Sequence, residues 1–68
     1  MEEFSLRLQA LLDRRGYTPF TLSKEMGVSR SLTWSWVRGN SYPDLYHFAQ
    51  LVRILDTDAN YLLFGKEI

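Results

Sequence analysis

Phe4, Leu8, Leu11 and Leu12 fall at i, i+4, i+7 and i+8, with Arg7, Gln9, Asp13 and Arg14 around the remaining sides. That spacing is one apolar stripe of an amphipathic helix and predicts helix over about residues 3–15, ended by Gly16. A second stripe comes late in the chain. Leu45, Phe48, Ala49, Val52 and Leu55 recur at the 3.6-residue period behind Pro43 and a capping Asp44, which predicts helix over about 44–55. Between the two stripes the segments are short and set off by cap and turn residues. Thr18 can cap a helix with Pro19 in its first turn, where a missing N–H costs nothing, so 19–26 reads as helical. Gly27 supplies the positive φ of a tight turn, Ser29 caps a helix over about 29–38, and Gly39 stops it. "GNSYP" is a connector, and Asp58 opens a last short helix over about 58–64 that ends at Gly65. No stretch alternates with the period of a strand, and no internal repeat or low-complexity tract interrupts the pattern. The predicted class is all-α, five helices in one domain spanning 1–68.

Composition narrows this picture. A chain of 68 residues is long enough for one small core and too short for two. With no cysteine, neither a disulfide framework nor a thiolate metal site can add stability, so packing must supply it. A hydrophobic content of 46% with 15% aromatic residues makes that feasible. The opening "MEEF" has no basic leader, and runs such as "YLLF" fall far short of the roughly twenty apolar residues that span a bilayer, so a soluble, cytoplasmic chain is expected. Eight basic residues against eight acidic give zero net charge, which by itself argues against a polyanionic partner. The distribution says otherwise. Residues 1–13 carry −2, residues 41–68 carry −2, and residues 14–40 carry +4 from Arg14, Arg15, Lys24, Arg30 and Arg38 against Glu25.

That basic third also holds a motif. Leu22, Ser23, Met26, Gly27, Val28, Thr33 and Trp36 have the spacing of a helix-turn-helix, in which a small residue lets two helices cross closely, a glycine makes the turn, and apolar residues plug the angle between them. Together with "GVSRS", the "RG" after the third helix, and "YPDLYHFAQLVRIL" and "NYLLFG" downstream, the chain resembles the phage repressor/Cro (XRE-type) helix-turn-helix family over about residues 4–65. The resemblance implies a five-helix lambda-repressor-like DNA-binding domain. It further implies a sequence-specific, repressor-type transcriptional regulator that sets its third helix in the major groove of a palindromic operator. The partner would be double-stranded DNA, bound as a homodimer, with no cofactor or small-molecule ligand.

Three departures from the family pattern carry information. The family usually has Gln at the start of the second helix, where it contacts phosphate or braces a base-reading side chain; here Pro19 stands there. Where the family pairs an Arg late in the first helix with a Glu near the end of the third, this chain has Leu12 and Val37. Replacing both partners of a buried ion pair by apolar residues is often neutral or stabilising, so the double change reads as a coherent repacking and predicts contact between Leu12 and Val37. Thr33 replaces the usual Ile or Val plug, with a hydroxyl able to bond a carbonyl one turn back.

The family register turns Thr33, Trp36 and Val37 to the core and Arg30, Ser31, Trp34, Ser35 and Arg38 to solvent or groove. Base reading is assigned to Arg30 and Ser31, with Trp34 and Ser35 beside them, since an Arg fork can take O6 and N7 of guanine and a serine hydroxyl can donate or accept. Leu32 either meets a thymine methyl or packs at the helix junction. Trp34 either stacks on the sugar–phosphate edge or faces a protein. Phosphate contacts are assigned to Thr18, Lys24, Arg38, Asn40, Ser41 and Tyr42, although Asn40 and Ser41 also fit plain turn chemistry. Arg14 and Arg15 read as a solvated helix end. His47, alone and without cysteines, gives a metal nothing to build on and reads as an exposed helix residue; no nucleophile–base pair points to an enzyme. At the C-terminal end Tyr61, Phe64 and Ile68 are expected to form the dimer interface, because so short a helix cannot cover them all. The competing reading, favoured by zero net charge, Pro19 and an exposed Trp34, is a protein-interaction module on the same fold that binds a repressor or toxin partner.

Overall fold

After the first, every helix follows a residue in extended conformation, and three of these four are started by a side-chain cap. The computed structural model describes residues 2–65. It contains α1 (Glu2–Arg15), α2 (Pro19–Met26), α3 (Arg30–Val37), α4 (Leu45–Ile54) and α5 (Ala59–Phe64), with no strand among the described residues. Thr18 and Thr21 form a reciprocal capping box at α2: the Thr18 hydroxyl accepts from the Thr21 N–H at 3.1 Å, and the Thr18 N–H donates to the Thr21 hydroxyl at 2.8 Å. Ser29 accepts from the Leu32 N–H at 3.2 Å and Asp44 from the His47 N–H at 2.8 Å, so α3 and α4 start where the expected caps stand. Asp58 differs. It occupies the cap position of α5 but makes no side-chain cap bond, and its Oδ2 is buried with no partner among the described residues.

The core is continuous through the helices. Leu8, Leu11, Leu22, Trp36, Leu51, Leu55 and Leu62 are each at most 1% exposed, and Phe4, Leu12, Met26 and Val37 close around them. Burying one such side chain stabilises the fold by about 1.5–3 kcal/mol. The Cα radius of gyration, 10.6 Å, agrees with the ~11 Å of a compact domain of this length. α4 is rotated from the expected stripe. Leu45 is 83% exposed and Ala49 is also exposed, while Leu51 is fully buried. Phe48, Leu51, Val52 and Leu55 also satisfy the helical period, and that set leaves Leu45 and Ala49 on its flank, with Leu45 at the free first turn.

Long polar side chains of α1 join the other helices at their weak ends. A helix leaves its last carbonyls without intrahelical donors. Arg7 donates Nε to the Leu62 carbonyl at 3.0 Å and Nη2 to the Leu63 carbonyl at 2.8 Å in α5. Arg15 donates to the carbonyls of Leu55 and Asp56 at 2.8 and 3.0 Å behind α4, and Gln9 donates to the Val37 carbonyl at 2.8 Å at the end of α3. Cations placed there also oppose the negative ends of the helix dipoles. Arg15 is therefore a structural clamp and not the solvated helix end expected for it. At the other side of the α1–α2 loop the Tyr17 hydroxyl donates to Glu25 Oε1 at 2.7 Å; that bond, with the carboxylate's charge, raises the phenol above its usual pKa.

His47 corrects another expectation. Its side chain is 22% exposed, its ring lies 5.7 Å from Trp36 between centroids, and Nδ1 is 3.0 Å from Asp44 Oδ1. It thus covers the core tryptophan near the start of α4. Among the described residues no helix is long and apolar enough to cross a membrane.

Candidate nucleic-acid interface

Two short helices and the turn between them make the surface of interest. Gly27, with φ 73°, ends α2 in the left-handed region that glycine adopts without strain, and the Gly27 and Val28 N–H groups close on the Ser23 carbonyl at 2.9 and 3.0 Å. Ser23 is 3% exposed and donates to the Phe20 carbonyl at 2.6 Å, so its small side chain is buried with its hydroxyl satisfied. Thr33 then ties the two helices together. It is fully buried, and its hydroxyl lies 3.1 Å from the Arg30 carbonyl, the expected bond one turn back, and 2.9 Å from the Pro19 carbonyl at the start of α2. The second bond has no local sequence signal, and it satisfies a hydroxyl that is fully buried between the two helices.

With Thr33, Trp36 and Val37 inside, α3 turns its other side outward. Trp36 is 1% exposed and Trp34 is 44% exposed, as the register requires. Leu32 is half-buried and packs against the core, as the helix-junction reading of it expects. Arg30, Ser31, Trp34, Ser35, Arg38 and Asn40 line one shallow open concavity along α3. None of the six is acidic, and among the described residues no carboxylate pairs with Arg30, Arg38 or Lys24. The Arg38 guanidinium lies 5.9 Å from the Trp34 ring centroid, a cation–π contact that keeps both on this face. Gly39, at φ 79°, turns the chain back, and the Asn40 N–H closes on the Ser35 carbonyl at 2.9 Å. A Cβ at Gly39 would sit 3.3 Å from the Ser5 hydroxyl, so backbone angle and close approach both ask for glycine there.

The other assigned residues divide. Ser35 and Ser41 are half-buried with their hydroxyls 2.6 Å apart, so they brace the loop behind α3 against the helix while Ser35 still borders the concavity. Thr18 is engaged in the α2 cap and lines a different small cavity with Gln9, Leu12, Tyr17 and Val37. Lys24 is exposed on α2, its ammonium 5.1 Å from the Phe20 ring centroid. Tyr42 departs from the α3 surface. Its ring packs edge-on against Phe4 of α1 at 5.5 Å and helps line an apolar groove with Pro43, Leu45, Phe48 and Leu63. At α5, Tyr61 is half-buried against the core while Leu63 and Phe64 are 49% and 66% exposed; Ile68 lies outside the described residues.

One residue on this side escapes the sequence reading. Phe20 is 47% exposed, with Lys24 on one hand and the Arg30 guanidinium 5.6 Å from its centroid on the other. A signal for it does exist in the sequence, since Phe20 lies off the apolar face set by Leu22 and Met26 and four residues before a lysine. Among the described residues no cluster of His, Cys, Asp or Glu could hold a metal ion.

No protein-family model, curated protein or solved structure matches the chain.

Proposed function

We propose that the chain is a sequence-specific DNA-binding transcriptional regulator of the repressor type, on a lambda-repressor-like helix-turn-helix domain, acting in the cytoplasm. α3 lies in the major groove, with Arg30 and Ser31 at base edges and Arg38, Asn40 and Lys24 towards phosphates. The observation that carries this reading is the single concave face of α3, where Arg30, Ser31, Trp34, Ser35, Arg38 and Asn40 stand together without a carboxylate. An α-helix fits the major groove, and a guanidinium fork, a hydroxyl and an amide are the groups that read base edges and hold phosphates there. One such helix reads too few base pairs for useful selectivity. A two-fold dimer, formed on DNA through the exposed Leu63 and Phe64 of α5, sets two recognition helices about 34–36 Å apart on one face of the duplex.

Selection from a random duplex pool tests this reading, with an enriched inverted repeat as the expected result. On the selected duplex, Arg30→Ala is expected to cost about 1–3 kcal/mol and to relax preference at one base position, the signature of a lost bidentate contact. Arg38→Ala is expected to weaken all duplexes alike and to make the salt dependence shallower. Identical profiles for the two variants would overturn the division into base-reading and phosphate roles.

A second reading is a protein-interaction module that binds a repressor or toxin partner. The exposed Trp34 favours it, as do Leu45 at 83%, Tyr46 at 70% and Phe64 at 66% exposure, apolar surface that DNA contact by α3 does not use. Failure of the pool to enrich any sequence would favour it.

A further inference from the structure

We infer that Phe20 is a positioning residue for base recognition: its ring holds the Arg30 guanidinium in place at the start of α3, so that the fork is aimed before any DNA arrives. The inference rests on the DNA-binding reading and deepens it. Phe20 is the second residue of α2, and at 47% exposure it contributes less to the core than a phenylalanine can. What it does touch is charge. The Arg30 guanidinium lies 5.6 Å from its centroid and the Lys24 ammonium 5.1 Å, both within the range in which the ring quadrupole attracts a cation. No carboxylate of a described residue competes for either cation.

The geometry bears on specificity in a definite way. Arginine has a long, freely rotating side chain, and a bidentate contact to a base requires one conformation of it, so an arginine already held loses less freedom on binding. The ring offers no hydrogen-bond acceptor and leaves the guanidinium N–H donors available for O6 and N7 of a guanine. A carboxylate at the same place would hold Arg30 more strongly and consume those donors. The backbone beneath Phe20 is itself anchored. The Phe20 carbonyl accepts from the buried Ser23 hydroxyl at 2.6 Å, and the Pro19 carbonyl beside it is held by Thr33 at 2.9 Å. Both bonds fix the start of α2, the second of them directly against α3.

The test has two arms. In the free protein, the Arg30 side-chain proton resonances are expected to be shifted upfield by the ring current in the wild type and in Phe20→Tyr, and to return to ordinary positions in Phe20→Leu. On the duplex selected by the wild type, Phe20→Leu is expected to lose about three- to thirtyfold in affinity, the span from an exposed to a desolvated cation–π contact. The loss should relax the base position that Arg30→Ala relaxes and should be non-additive with it, while Phe20→Tyr retains both affinity and profile. Unchanged Arg30 resonances in Phe20→Leu, an unchanged base profile, or losses additive with Arg30→Ala would overturn the inference and leave DNA binding standing. A wild-type pool that enriches nothing would overturn the DNA-binding reading and this inference with it.

Discussion

Trp36→Ala is expected to leave the chain largely unfolded. Trp36 is the largest of the fully buried side chains, 1% exposed, and it joins α3 to α4 through the His47 ring. Truncating a buried tryptophan costs about 3–5 kcal/mol, because the packing cannot collapse into so large a space. A domain of this size has a total stability of about 3–10 kcal/mol, at the usual 0.05–0.15 kcal/mol per residue. The loss is therefore comparable with the whole. Trp36→Phe should be far milder, since it keeps most of the ring and removes an indole N–H that has no hydrogen-bond partner among the described residues. Urea unfolding followed by far-UV circular dichroism checks both. A folded Trp36→Ala variant with a near wild-type midpoint would mean that the core does not depend on this side chain.

The second large effect is expected where α1 meets α3. Leu12 and Val37 are 3% and 8% exposed, line the same small cavity with Gln9, Asp13 and Tyr17, and sit beside the bond from Gln9 to the Val37 carbonyl. Leu12→Arg should cost about 3–5 kcal/mol, the range for a buried charge without a partner, with Asp13 at the rim placing it towards the lower end. Adding Val37→Glu should recover much of that loss, because an ion pair then replaces two apolar residues and neither charge stands alone. The measurement is a double-mutant cycle in urea. Additive losses would show that the two positions do not couple.

How much of this could be read from residues alone depends on the distance over which each signal acts. Caps and stops are local, so Thr18, Ser29, Asp44, Gly27 and Gly39 placed the helix ends to within a residue or so. The inward and outward sides of α3 were read from the register of the family resemblance, since its short apolar pattern alone does not fix the phase, and Trp36 and Trp34 fell on opposite sides as that register expected. α4 was harder. Its apolar residues span more than one face, and only packing against the rest of the core chooses Leu51 over Leu45 and Ala49. The joints made by Arg7, Gln9 and Arg15 connect positions 28 to 56 residues apart, and no local pattern shows that a polar side chain will close another helix's last turn. The same holds for Tyr42, drawn to Phe4 and away from α3, and for the approach of Phe20 to Arg30. Asp58 shows the converse, a correctly placed cap residue whose side chain does not cap.

These long-range joints also refine the charge argument. Of the five basic residues that make residues 14–40 positive, Arg15 is engaged behind α4, while Lys24, Arg30 and Arg38 remain on or beside the α3 face. Zero net charge is thus compatible with a locally positive surface, the quantity that matters to a polyanion at short range. That surface is most directly tested by titrating the purified chain with bulk duplex DNA at low and moderate salt. The expected result is binding at low salt that weakens as salt rises, with a log–log slope of about −2 per chain from the two phosphate-facing cations, Lys24 and Arg38, and a shallower slope for Arg38→Ala. No binding at low salt, or binding indifferent to salt, would contradict the DNA-binding proposal.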